Sequence, residues 1–161
     1  MKYKFIVDEN IFYCALRGVD EHDNKDFSSA KFLTYLLKNC HTIYLDREYN
    51  RRYENNIPNK LERIIHNKNE HILPGIDLLI QDIFHTSEKI KRDFSNSLKF
   101  PDEEKIPSKD IYIARCANRF SAIIVTLDKD FRDAVNVHAY LKQNGVDALH
   151  PKDAIKFVTE T

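Results

Sequence analysis

Apolar positions along this chain fall into two kinds of run. Short, continuous, β-rich runs stand at Lys4–Val7 (Lys-Phe-Ile-Val), Thr42–Leu45, residues 122–126 (Ala-Ile-Ile-Val-Thr) and residues 146–149. Runs this short, with little polar alternation, predict strands buried on both faces. Between them, apolar residues recur three and four apart, the period of an amphipathic helix. Residues 9–17 read as a helix through Ile11, Phe12, Ala15 and Leu16, with Gly18 as its stop. After a polar loop over 19–27, Ser28 or Ser29 is placed to cap a helix running to Asn39, with Phe32, Leu33, Leu36 and Leu37 as its apolar face.

Asp46 is placed to cap a helix to about Asn55, with Tyr49, Tyr53 and Ile57 four apart, and Pro58 opens a further helix through Leu61, Ile64 and Ile65. Residues 76–91 read as helical and 100–107 as a loop. Apolar residues persist across 67–107, so this stretch reads as a helical insertion on a single domain spanning 1–161 rather than a linker. Ser108 caps a helix over 109–118, two short helices follow over 129–135 and 137–142, and Pro151 opens a terminal helix. Strands alternating with helices predict a central, mostly parallel sheet in a three-layer α/β/α sandwich. Functional groups in such sheets collect at the carboxyl ends of the strands.

Composition narrows the class. The chain has 161 residues, 42% hydrophobic and 31% charged, which suits one folded domain with its own core. No apolar run approaches the roughly 20 residues of a membrane span, and the N-terminus shows no small-residue cleavage site, so neither a membrane protein nor a signal peptide is expected. Cys14, Cys40 and Cys116 are odd in number and far apart, which points to reduced thiols and a cytoplasmic protein. Net charge is zero, whereas nucleic-acid binders are usually basic. Gathering four of the 25 acids into one pocket would leave 25 basic residues facing 21 acidic ones. A modestly basic surface could then surround an acidic pocket.

Three aspartates stand where chemistry would be expected. Asp8 follows the first strand directly, Asp128 lies two residues past the strand ending at Thr126, and Asp110 sits in the first turn of a helix that runs back along the sheet. Taken singly each has a structural reading: Asp8 as an N-cap, Asp110 as an acid favouring the helix dipole, Asp128 and Asp130 as turn or cap residues. Three carboxylates on one sheet edge repel one another unless a cation joins them. Oxygen ligands without His or Cys suit Mg²⁺ or Mn²⁺ rather than zinc. The seven histidines lack metal-ligand spacing. Two basic patches, Lys89-Lys91-Arg92 and Arg47-Arg51-Arg52, read first as solvated faces and second as phosphate contacts.

The order of these residues resembles the PIN-domain family. Its members open with a strand ending in Asp, often with Asn one residue further on, as in Asp8-Glu9-Asn10. They place an Asp at the start of a late helix, as Asp110 before Ile113-Ala114. After the fourth strand they carry Thr-x-Asp-x-Asp-Phe, as in Thr126-Leu127-Asp128-Lys129-Asp130-Phe131. The family also has a Glu after its second strand. Glu48 is the choice on the first turn there, while another alignment puts Arg52 at that position and leaves the site a ligand short.

The resemblance covers nearly the whole chain outside 67–107. It implies a divalent-metal-dependent endoribonuclease with Asp8, Glu48, Asp110 and Asp128 as catalytic metal ligands, supported by Asn10, Thr126 and Asp130. It also implies RNA as substrate and, as in some members, an antitoxin protein or a second copy as partner. The rival within the fold is an inactive RNA-binding or assembly module. A haloacid-dehalogenase-type phosphatase needs a second Asp where Asn10 stands, and the phospho-accepting Asp and later Lys of a receiver domain have no convincing place.

Overall fold

The structure is a computed structural model that describes residues 2–86 and 88–159. Its elements run β1 (Lys4–Val7), α1 (Asn10–Arg17), α2 (Ser28–Lys38), β2 (Thr42–Leu45), α3 (Arg47–His66), α4 (Ile76–His85) and β3 (Ile90–Arg92). Then come α5 (Ile111–Phe120), β4 (Ile123–Val125), α6 (Lys129–Val137), α7 (Ala139–Gln143), β5 (Ala148–Leu149) and α8 (Pro151–Thr159). The five strands form one all-parallel sheet in the order β3-β2-β1-β4-β5. On one face α2 packs against α1, α4 and α8; α5 lies against β1, β2 and β4, and α6 against β5. This is the α/β/α sandwich that the strand–helix alternation predicts. Phe5, Ile6 and Val7 are all fully buried, as a strand covered on both faces requires.

The strand order carries a functional consequence. From β1 the chain steps outward through β2 to β3, then returns to the other side of β1 to lay down β4 and β5. Connections on the two sides of β1 therefore leave in opposite directions, and a crevice opens at the carboxyl ends of β1 and β4. Val7 pairs with Val125, so the residues that follow, Asp8 and Thr126, emerge side by side at that crevice.

Several local expectations change. Pro58 does not begin a helix; it lies inside the 20-residue α3. The stripe Tyr49, Tyr53, Ile57 and Leu61 continues through it without a change of phase, and the packing it provides outweighs the backbone bond that proline cannot donate. Ser28 and Ser29 are in the first turn of α2 rather than capping it; Phe27 stands at the cap position, and Asp26, one residue before it, accepts from the Ser28 N–H at 2.7 Å. The stretch 76–91 is not one helix, because Ile90–Arg92 leaves it to pair with β2. Only Ile90 of that strand is buried, so its pattern is too weak to announce a strand and the neighbouring edge of β2 decides it. The Lys89-Lys91-Arg92 patch is accordingly not a helix face. Lys89 turns inward to donate to the Leu36, Asn39 and His41 carbonyls. Ser108 caps nothing either; residues 108–110 form a 3-10 turn that delivers Asp110 to the start of α5.

Gly18 is required twice over. It ends α1 at φ +68°, and a Cβ there would meet Leu73 Cγ at 2.9 Å. Leu73 also donates its N–H to the Leu16 carbonyl at 2.8 Å. This contact binds the segment between α3 and α4 to the end of α1. Among the described residues no helix is long and apolar enough to cross a membrane.

Candidate active site at the β1–β4 crevice

Asp8 is held first by the backbone: its N–H donates to the Val125 carbonyl at 3.0 Å, extending the sheet by one bond. Thr126, fully buried, then donates its hydroxyl to Asp8 Oδ2 at 2.8 Å. From beneath, Tyr49 and Tyr53, one turn apart on α3, both donate their hydroxyls to the Val7 carbonyl. The end of β1 is thus fixed by β4 on one side and by α3 below. Asp8 remains only 7% exposed, and burial, joined by the charges of Glu9 and Asp128 and opposed by the Thr126 hydrogen bond, raises its pKa above the ordinary value.

Asp110 shares that burial at 7% exposure. Its backbone closes the 3-10 turn, Asp110 N–H to Pro107 O at 2.9 Å, and its side chain caps nothing. Its Oδ2 is buried and has no hydrogen-bond partner. Burial, then the charge of Asp128, push this carboxyl up to about 6; Lys109 opposes the shift and Asp8 adds to it. Asp128 is the outer member. It caps α6 by accepting from the Phe131 N–H at 3.1 Å, and its other oxygen takes the Lys109 ammonium at 3.2 Å. Burial alone would raise its pKa, but the Phe131 N–H and Lys109 hold it below the ordinary range. The mutual influence among Asp8, Asp110 and Asp128 marks them as one electrostatic group, drawn from three distant parts of the chain.

The remaining expected residues divide. Thr126 is in the site by direct contact. Asp130 is exposed in the first turn of α6 and adds to the field on Lys109. Asn10 opens α1, exposed, with no hydrogen bond to these carboxylates. Glu48 points elsewhere: it pairs with Arg51 and Arg52, both at 3.2 Å. Burial opposes the shift, and those two guanidinium groups hold its pKa low.

Glu9 is the acid that sequence reasoning passed over. Its Oε2 is buried without a partner, and its charge acts on Asp8, Tyr13, Tyr53 and Tyr112. The signals were present in the sequence: Glu9 adjoins Asp8, whereas Glu48 has arginines three and four residues ahead on its own helix face.

A hard divalent cation fits this group in donor chemistry. Asp8, Glu9, Asp110 and Asp128 offer only carboxylate oxygens. Two of those oxygens are buried and unpartnered, and like charges crowd a partly dry crevice. As the side chains stand, no three His, Cys, Asp or Glu among the described residues converge as a ready-made metal centre, and a lysine covers Asp128. No protein-family model matches the chain, and no curated protein matches it in sequence.

Proposed function

We propose that this protein is a PIN-like nuclease that hydrolyses RNA phosphodiester bonds with the help of Mg²⁺ or Mn²⁺. The observation that carries the reading is the unpartnered, buried Asp110 Oδ2, set beside Asp8 and Asp128 at the crevice of a parallel sheet. A buried carboxylate oxygen without a donor is unfavourable, and a cation in the crevice would relieve it. Asp8, Asp110 and Asp128 would hold that cation, with Glu9 in place of Glu48 as the fourth acid. Bound there, it would lower the pKa of a water and offset the charge that develops on a phosphate. The chain's own part is to position and to balance charge. Thr126 fixes the orientation of Asp8, the Phe131 N–H fixes Asp128, and Lys109 neutralises Asp128 until a cation or a phosphate competes for it. The three free cysteines, two of them buried, agree with a reducing, cytoplasmic setting.

The second reading, an RNA-binding module of the same fold without catalysis, is favoured by two features. Lys109 occupies Asp128, and Glu48 is engaged by two arginines. Mixed-sequence RNA incubated with Mn²⁺, with and without chelator, separates the two. The nuclease reading expects cleavage that the chelator stops and that Asp128→Asn reduces at least about 100-fold, in keeping with losing a group that stabilises the transition state. Mn²⁺ should also raise the melting temperature of the parent more than that of the variant. Binding without cleavage in either metal selects the second reading.

A further inference from the structure

Beside the crevice α3 presents a small cleft of about 230 Å³ lined by Arg51, Arg52, Asn55 and Asn56. Its lining is entirely guanidinium and amide, with no acid among the lining residues. Arg52 is pinned in place. Its Nε donates to Glu48 Oε1 at 3.2 Å, and its guanidinium carbon lies 3.9 Å over the ring of Tyr112. A guanidinium held by stacking and by one ion pair keeps its outer N–H groups in a fixed fork, the geometry that suits a phosphate. Asn55 and Asn56 are exposed, and their side-chain amides have no partner among the described residues.

The position of the cleft gives it meaning. Tyr112 is two residues beyond Asp110, and the charges of Asp8, Glu9 and Asp110 push its hydroxyl pKa, already raised by burial, up to about 12 while Arg52 opposes them. Tyr112 also packs on Tyr49, 5.3 Å between ring centres, and Tyr49 is bonded to the Val7 carbonyl next to Asp8. Two packed tyrosines, Tyr112 and Tyr49, therefore link Arg52 in the cleft to the strand end that carries Asp8.

We infer that the Arg51-Arg52-Asn55-Asn56 cleft binds a backbone phosphate of a single nucleic-acid strand, next to the phosphate that enters the β1–β4 crevice. The order of the two phosphates along the strand rests on the nuclease reading; the binding itself does not. Arg52 supplies the fixed fork, Arg51 a second charge, and the two asparagines donate to the non-bridging oxygens. Glu48 serves this cleft by orienting both arginines. A substrate with one phosphodiester and no flanking phosphate cannot reach both places.

The test uses the full chain in EDTA and a fluorescently labelled single strand of about 12 nucleotides, followed by anisotropy. The double substitution Asn55→Asp with Asn56→Asp places two acids in the cleft at exposed helix positions. It should weaken binding about tenfold or more and reduce the dependence of log K on log salt by about one phosphate contact. Arg52→Ala should weaken it similarly, with thermal melts of both proteins reporting that the fold is kept. Where cleavage is present, KM for the oligonucleotide should rise more than kcat falls. Unchanged affinity in the folded double variant overturns the inference even if RNA is cleaved. Loss of affinity in a protein that cleaves nothing sustains it and removes the nuclease reading instead. Equal competition by a poly-glutamate peptide would show a site for acidic protein segments and overturn it as well.

Discussion

Two strand ends in this sheet carry a buried aspartate, and they have come to opposite states. At the end of β2, Asp46 is 2% exposed. Both of its oxygens are used: Oδ1 accepts from the Tyr49 N–H at 2.8 Å and Oδ2 from the Ser97 hydroxyl at 2.6 Å. At the end of β1, Asp8 is nearly as buried, as is Asp110 at the start of α5 beside it, yet Asp110 keeps an oxygen without a partner and both are held near other acids. Burial and position at a carboxyl edge do not distinguish the two places. The partners do: Asp46 completes a helix start and anchors the loop after β3, while the β1–β4 group is left with capacity for something else.

The contrast can be broken first by stability. Asp46→Ala removes a cap and strands the Ser97 hydroxyl, so denaturant melts should show a loss of about 2–3 kcal/mol. Asp110→Asn, in metal-free protein, should be as stable as the parent or more so, because it removes a charge that has no partner. Comparable losses from both would show that Asp110 is as structural as Asp46.

A smaller effect sharpens the electrostatic side. Asp110 titrates near 3.8 when unfolded and near 6 in the fold. Between those values the native state holds the extra proton, so this carboxyl withdraws stability as pH rises, and the withdrawal is complete above about 6. Asparagine in its place cannot titrate. In chelator, the stability of Asp110→Asn minus that of the parent should therefore grow from about pH 4 to about pH 7, by about 1–2 kcal/mol. Carboxylates held low outside this group, such as Glu103, titrate in the opposite sense in both proteins and cancel. A flat difference across that range would place Asp110 in an ordinary environment.

The smallest effect concerns Glu48. Its pairs with Arg51 and Arg52 are on the helix surface, where such pairs contribute about 0.3–0.5 kcal/mol each. Glu48→Gln should change the melting temperature by no more than a degree or two and should weaken single-strand binding by about twofold, since two guanidinium groups lose the carboxylate that orients them. Loss of metal-dependent cleavage on the scale of Asp128→Asn would return Glu48 to the crevice and displace Glu9.

Local sequence determined a good deal of this molecule. β-Branched and aromatic runs announced four of the five strands because most of their side chains are buried or half-buried in the sandwich and so must be largely apolar. Alternation with amphipathic helices then determined a parallel, three-layer sandwich, and the placement of Asp8 and Asp128 just past their strands followed from chain order alone. Asp46 as the cap of α3 was equally legible, since capping reaches only three residues ahead. Tertiary structure decided the rest, because each remaining question depended on a neighbour distant in the chain. Ile90–Arg92 is a strand only because the edge of β2 pairs with it. Pro58 stays inside α3 because the apolar stripe on both sides of it packs into one core. Which acids share the crevice was decided by where β1, β4 and the start of α5 meet. That meeting brought Asp110 to Asp8 and Asp128, three carboxylates far apart in the chain whose charges act on one another in the fold.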